Sequence, residues 1–148
     1  MTRMLFGVLA GCAILFMLIV ANFSAAYFVM GADRAFRPGS YEPTISWLVV
    51  SRLLGFLAAV VAGWMAASID GARRAARWLA VLVVVIGILL TFPSLFVPIT
   101  NPGPREGSVA NFDAMQRIQT PRWARLSSPI LGAAGVLAGA STRRRAGA

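Results

Sequence analysis

Fourteen basic residues, all of them arginine, five carboxylates, one cysteine and no histidine are the groups through which this chain could do chemistry. Cys12 stands alone, so no internal disulfide or dithiol couple can form, and without histidine neither a Cys/His zinc site nor imidazole acid–base catalysis is available. The acidic residues Asp33, Glu42, Asp70, Glu106 and Asp113 all fall between apolar runs, which leaves no carboxylate to move protons or cations through a membrane interior. We therefore assign no catalytic residue, no cofactor site and no metal site from the sequence.

Arg52 is the exception to the general placement of charge, because it sits inside an apolar run. An arginine at the centre of a membrane helix costs about 2.5–3.5 kcal/mol on insertion scales and needs an outlet. Here it stands about 10 Å inside the run at 1.5 Å per residue, so its side chain can snorkel back to the interface, with Asp33 or Glu42 as partner. The alternative is contact with an anionic headgroup or solute, for which Asn22 and Ser24, at similar depth on the first run, are neutral hydrogen-bond partners.

A second pattern is steric rather than chemical. Ser51, Gly55, Ala59, Gly63 and Ala67 recur every four residues along one run, a face with little side-chain bulk that lets another backbone come close. Ser128, Gly132, Gly135 and Gly139 repeat the theme near the C-terminus, and Gly7 with Gly11 near the N-terminus. Packing within a helical bundle is the expected use; a homo-oligomer contact is the alternative.

The elements that must position these residues follow from composition. With 148 residues, 58% hydrophobic, 13% charged and a mean hydropathy of +0.74, the chain is too apolar for an ordinary soluble domain. We expect an all-α membrane protein, a single integral domain over residues 1–148. It would be a bundle of about four transmembrane helices spanning about 4–30, 45–69, 78–97 and 123–141. For the first run the competing reading is a secretory signal with small residues at Ser24, Ala25 and Ala26, and Leu9-Ala10-Gly11-Cys12 has the form of a lipobox; the run continues through Tyr27 to Val29, which favours an uncleaved helix.

Residues 31–44 read as a loop, with Pro43 opening the second span. Asp70-Gly71 reads as a tight helical hairpin, glycine closing one helix and aspartate capping the next. Pro93 is expected to kink the third span or begin its end. The segment 98–120 contains Asn101-Pro102-Gly103-Pro104, which breaks helix, and then Val109, Phe112, Met115 and Ile118 at intervals of three, a short amphipathic helix for the membrane interface. Thr120-Pro121 reads as a cap and first position for the last helix. Trp47, Trp64, Trp78 and Trp123 are expected at interfaces.

A formal charge of +9 would suggest nucleic acid in a soluble protein, but arginines that flank apolar runs face lipid phosphates, and no nucleic-acid partner is expected. Four spans put Arg3, Arg73, Arg74, Arg77 and Arg143 to Arg145 on one side, against Arg34, Arg37, Arg105, Arg117, Arg122 and Arg125. The first group is packed beside the spans, so the expected location is a bacterial-type inner membrane, multi-pass, with both termini in the cytoplasm. The function expected is a non-enzymatic structural or accessory component that packs against itself or a larger membrane complex. A small transporter, or a protein using Arg52 and Asn22 to hold an anionic lipid or solute, is the second reading; a membrane enzyme on a lipophilic substrate, resting on length and helix count alone, is the third.

Overall fold

The computed structural model of the protein describes residues 1–96, 103–104, 107 and 109–142, with the side chains of 93–96 excepted. The described residues are helical and form no strand: α1 is Thr2–Met30, α2 Ala32–Ala35, α3 Ile45–Asp70, α4 Arg74–Phe96, α5 Asn111–Arg117 and α6 Arg122–Thr142. Three of these are long and apolar enough to cross a membrane, namely Thr2–Met30, Ile45–Asp70 and the stretch Arg74–Phe92 of α4. The protein is a helical membrane protein. Val97 and Arg143 to Arg145, which the sequence reading placed at span ends, and Arg105 and Glu106 lie outside the described residues.

α3 is the organising helix. It packs against α1 on one side and α6 on the other, while α4 lies against α6 and touches both α1 and α3. Among the described residues α1 and α6 do not meet. The chain alternates direction from α1 to α3 to α4, and the contacts of α6 fix its direction too. Gly132 faces Val83 and Gly87 faces Pro129, an antiparallel register with α4, whereas Gly135 faces Ala59 and Gly139 faces Val60 and Trp64, a parallel register with α3.

The turn between α3 and α4 follows the chemistry of its residues. Gly71 takes φ 72°, the left-handed conformation that glycine adopts without a Cβ penalty, and its N–H closes on the Ala67 carbonyl. The Asp70 carboxylate accepts from the N–H of Ala75 at 3.1 Å, satisfying a first-turn donor of α4 that has no intrahelical partner. Pro43 does not open α3. Thr44 holds the cap position, its hydroxyl accepting from the Trp47 N–H at 3.2 Å, and Pro43 instead forms a β-bridge with Phe36. Threonine wins because it brings the acceptor that an exposed helix start lacks and proline does not.

The loop before α3 is a built structure rather than open chain. Pro38 and Gly39, with φ 68° at the glycine, make the two central positions of a type II turn closed by Ser40 N–H to Arg37 C=O at 3.1 Å. The last helix likewise starts one residue later than its proline suggested, since the Pro121 carbonyl accepts from both Ala124 and Arg125 at 3.0 Å and so takes the cap role. Pro93 does not end α4, which continues to Phe96.

Candidate functional site

Two places in the molecule gather polar or aromatic groups beyond what packing of apolar helices requires: the seam between α3 and α6, and the end of the bundle beneath residues 31–44 and 109–119.

The seam is closed by residues without bulk. A Cβ on Gly63 would collide with the Val136 carbonyl, its carbon 2.6 Å away and its Cα 2.7 Å, and one on Gly139 would collide with the Val60 carbonyl and stand 2.9 Å from the Trp64 nitrogen. Gly135 is held as closely, with Ala59 Cβ at 2.8 Å and the Phe56 carbonyl oxygen at 2.9 Å. Backbones meet here with no side chain between them, as small-residue helix pairs do in membranes.

The fourfold ladder of small residues does not all lie on this seam. Ala59, Gly63 and Ala67 are buried, but nothing stands within 4 Å of a Cβ built on Gly55, and Ser51, half-buried, bonds its own helix at Leu48. A step of four residues advances about 400°, so such a ladder drifts about 40° each time and about 160° between Ser51 and Ala67. The line that runs straight along α3 toward α6 alternates steps of four and three through Arg52, Phe56, Ala59 and Gly63. A second small face, Ala62 and Ala66, receives α1: a Cβ on Gly7 would lie 2.9 Å from the Ala66 carbonyl oxygen, and one on Gly11 3.2 Å from the Ala66 Cβ. The last-helix pattern divides too. Gly132 and Pro129 face α4, while Ser128, Gly135 and Gly139 face α3.

Arg52 heads the straight line, and its Nη1 donates to the Ser128 hydroxyl of α6. Among the described residues no ion pair joins it to Asp33 or Glu42, and Glu42 pairs with Arg37 at 3.1 Å, the two exposed side chains bracketing the tight turn. The two neutral groups have other partners. The Asn22 amide donates to the Leu54 carbonyl at 3.3 Å, tying α1 to α3, and Ser24 Oγ accepts from the Asn111 amide at 2.8 Å. Arg52 turns sideways to α6 because its place on the 4-3-4 line points it there, a direction that its depth alone does not reveal.

At the same end of the bundle as Arg52 the chain builds an aromatic cap. Trp47 is 1% exposed, with its ring edge-on to Phe23 at 4.9 Å and to Tyr27 at 6.3 Å; Phe36 joins Tyr27 and then Tyr41 at 5.9 Å. Trp47 is thus a buried core residue rather than an interface anchor, whereas Trp64, Trp78 and Trp123 are largely exposed. The segment containing α5 is tied down over this cluster. The Tyr27 hydroxyl donates to the Val109 carbonyl at 2.6 Å, the Gln119 N–H donates to the Tyr41 carbonyl at 3.0 Å, and the Arg117 guanidinium stands 5.9 Å from the Tyr41 ring centre. α5 seats itself through the fully buried Ala114, with Val109 and Ile118 packed on the same cluster, and turns Phe112 outward.

The arginines Arg73, Arg74 and Arg77 gather at the opposite, hairpin end, where a cavity of about 510 Å³ is lined by Arg3, Met4, Asp70 and Arg74. Cys12 is half-buried against the apolar core. Among the described residues no group of three or more metal-ligating side chains comes together. The chain matches no protein-family model, no curated protein and no solved structure.

Proposed function

We propose that the protein is a four-span membrane component with a structural or accessory role, built to hold a rigid shape in the bilayer and to pack against a partner membrane complex or a second copy of itself. The observation that carries this reading is the α3–α6 seam, where glycines bring two backbones together along parallel helices. Such contacts fix one arrangement of helices and leave no room between them for a substrate. The folded cap adds rigidity at one end.

α6 is the fourth span of this proposal. It has 21 residues, about 31 Å of helix, against a hydrocarbon core of about 30 Å. Its modest hydropathy follows from the glycines and alanines it turns toward α3 and α4, while Trp123, Leu126, Ile130 and Leu137 make a straight exposed apolar line on the other side. Large side chains outward and small ones inward is the pattern of a helix whose solvent is lipid. In this reading Phe112 and Trp123 sit at the membrane interface beside the cap. In this reading the hairpin end and both termini face the cytoplasm of a bacterial-type inner membrane, because Arg3, Arg73, Arg74 and Arg77 crowd the short segments at that end.

Cross-linking in native membranes followed by gentle detergent extraction tests the role. The expected result is one reproducible complex, of partner or copy, that persists in Arg52→Ala. Liposomes containing this protein alone that move an anionic solute, with the flux lost in Arg52→Ala, would overturn the structural reading and favour a transporter.

A further inference from the structure

We propose that Arg52 and Arg125, with Ser128 positioning the Arg52 guanidinium, form a site for the phosphate of an anionic phospholipid at the cap end of the α3–α6 seam. Arg52 stands seven residues into α3, about 10 Å along the helix from its start. Among the described residues its hydrogen bond is to a neutral hydroxyl and no carboxylate lies within ion-pair distance of it. The guanidinium has five donors in a planar fork, and Ser128 occupies one side of that fork.

The surroundings add positive charge rather than neutralise it. Arg125 precedes Ser128 by three residues and shares its face of α6, one turn nearer the interface. Neither α3 nor α6 carries an acidic residue in its first turn, and the two helices run parallel, so their positive ends lie together at this end of the bundle. The Ser128 hydroxyl is held in place by donation to the Ala124 carbonyl at 3.0 Å. Two arginines at one helix seam, one of them positioned by a serine and, among the described residues, ion-paired to no carboxylate, complement a phosphodiester. The bilayer supplies that group at the end of a span. Bidentate contact from Arg52 gives the site its preference for arginine over lysine.

The inference rests on α6 lying at membrane depth, which the sidedness of Thr142 tests separately. The direct experiment is native mass spectrometry of the full chain released from mild detergent with phosphatidylglycerol, with phosphatidylcholine of the same acyl chains, and with inorganic phosphate alone. Phosphatidylglycerol should be retained in preference to phosphatidylcholine and should not be displaced by phosphate. Retention should fall about tenfold in Arg52→Ala and partly in Arg52→Lys, while Arg34→Ala, in the loop, leaves it unchanged. Arg125→Gln and Ser128→Ala, which remove one group each and leave Arg52 in place, should weaken retention whether or not Arg52→Ala folds. Equal retention in all these variants would overturn the site, equal retention of the two lipids would overturn its anionic selectivity, and displacement by phosphate would make the ligand a soluble anion instead.

Discussion

Gly63→Leu and Gly139→Leu should each separate α3 from α6 and lower the thermal midpoint of the purified protein more than any other single change in the bundle. The reason is that the atoms in the way are backbone. A Cβ at Gly63 runs into the Val136 carbonyl and one at Gly139 into the Val60 carbonyl, and neither helix can yield without moving as a whole. Overpacking a close contact costs about 1–3 kcal/mol even where side chains can adjust, so a cost at or above the top of that range is expected here. Gly55→Leu is the control on the same ladder, with nothing within 4 Å of its Cβ, and Gly55→Ala should be neutral or stabilise by up to about 1 kcal/mol through helix propensity. Equal losses at Gly55 and Gly63 would show that the seam is not where the bundle's stability lies.

Trp47→Ala should cost about 3–5 kcal/mol, the range for truncating a buried aromatic, and should loosen the cap. Its ring is 1% exposed and meets Phe23 and Tyr27, through which the ends of α1 and α3 and the segment at Val109 are joined. Limited proteolysis read alongside thermal unfolding separates this from a general loss of stability, since residues 36–44 and 109–119 should become cleavable before the helices unfold. Trp123→Ala, at a site 64% exposed, should change neither. A Trp47→Ala protein with an unaltered cleavage pattern would mean that the cap does not depend on its aromatic core.

The helices themselves were legible from apolar runs and turn chemistry, and Asp70-Gly71 shows how far local chemistry reaches, because each residue's role in that turn involves neighbours no more than five positions away. What periodicity could not reach are contacts between residues far apart in the chain. Tyr27 meets Val109 across 82 positions and Arg52 meets Ser128 across 76, and neither spacing leaves a trace in a local pattern. The small-residue ladder was readable as a feature but not as a surface. Its period of four is longer than the helical 3.6, so it winds from the α1 side of α3 to the α6 side, and Gly55 and Gly63 part company. Ala62 and Ala66, which receive α1, were available to the same reasoning and lie one position before Gly63 and Ala67. α6 is the helix hardest to read as a span, and the reason is physical, since a helix that gives one face to glycine and alanine contacts loses the hydropathy by which spans are recognised.

A fourth span through α6 is tested most directly by residue-by-residue thiol labelling of intact and opened membrane vesicles. In a Cys12→Ser background, single cysteines at Arg34, Ala72 and Thr142 report the cap end, the hairpin end and the far end of α6. With α6 crossing the membrane, Thr142 is labelled from the same side as Ala72, and Arg34 from the opposite side. Labelling of Thr142 together with Arg34, with Ala72 opposite, would contradict the fourth span by leaving α6 uncrossed on the cap side of the membrane.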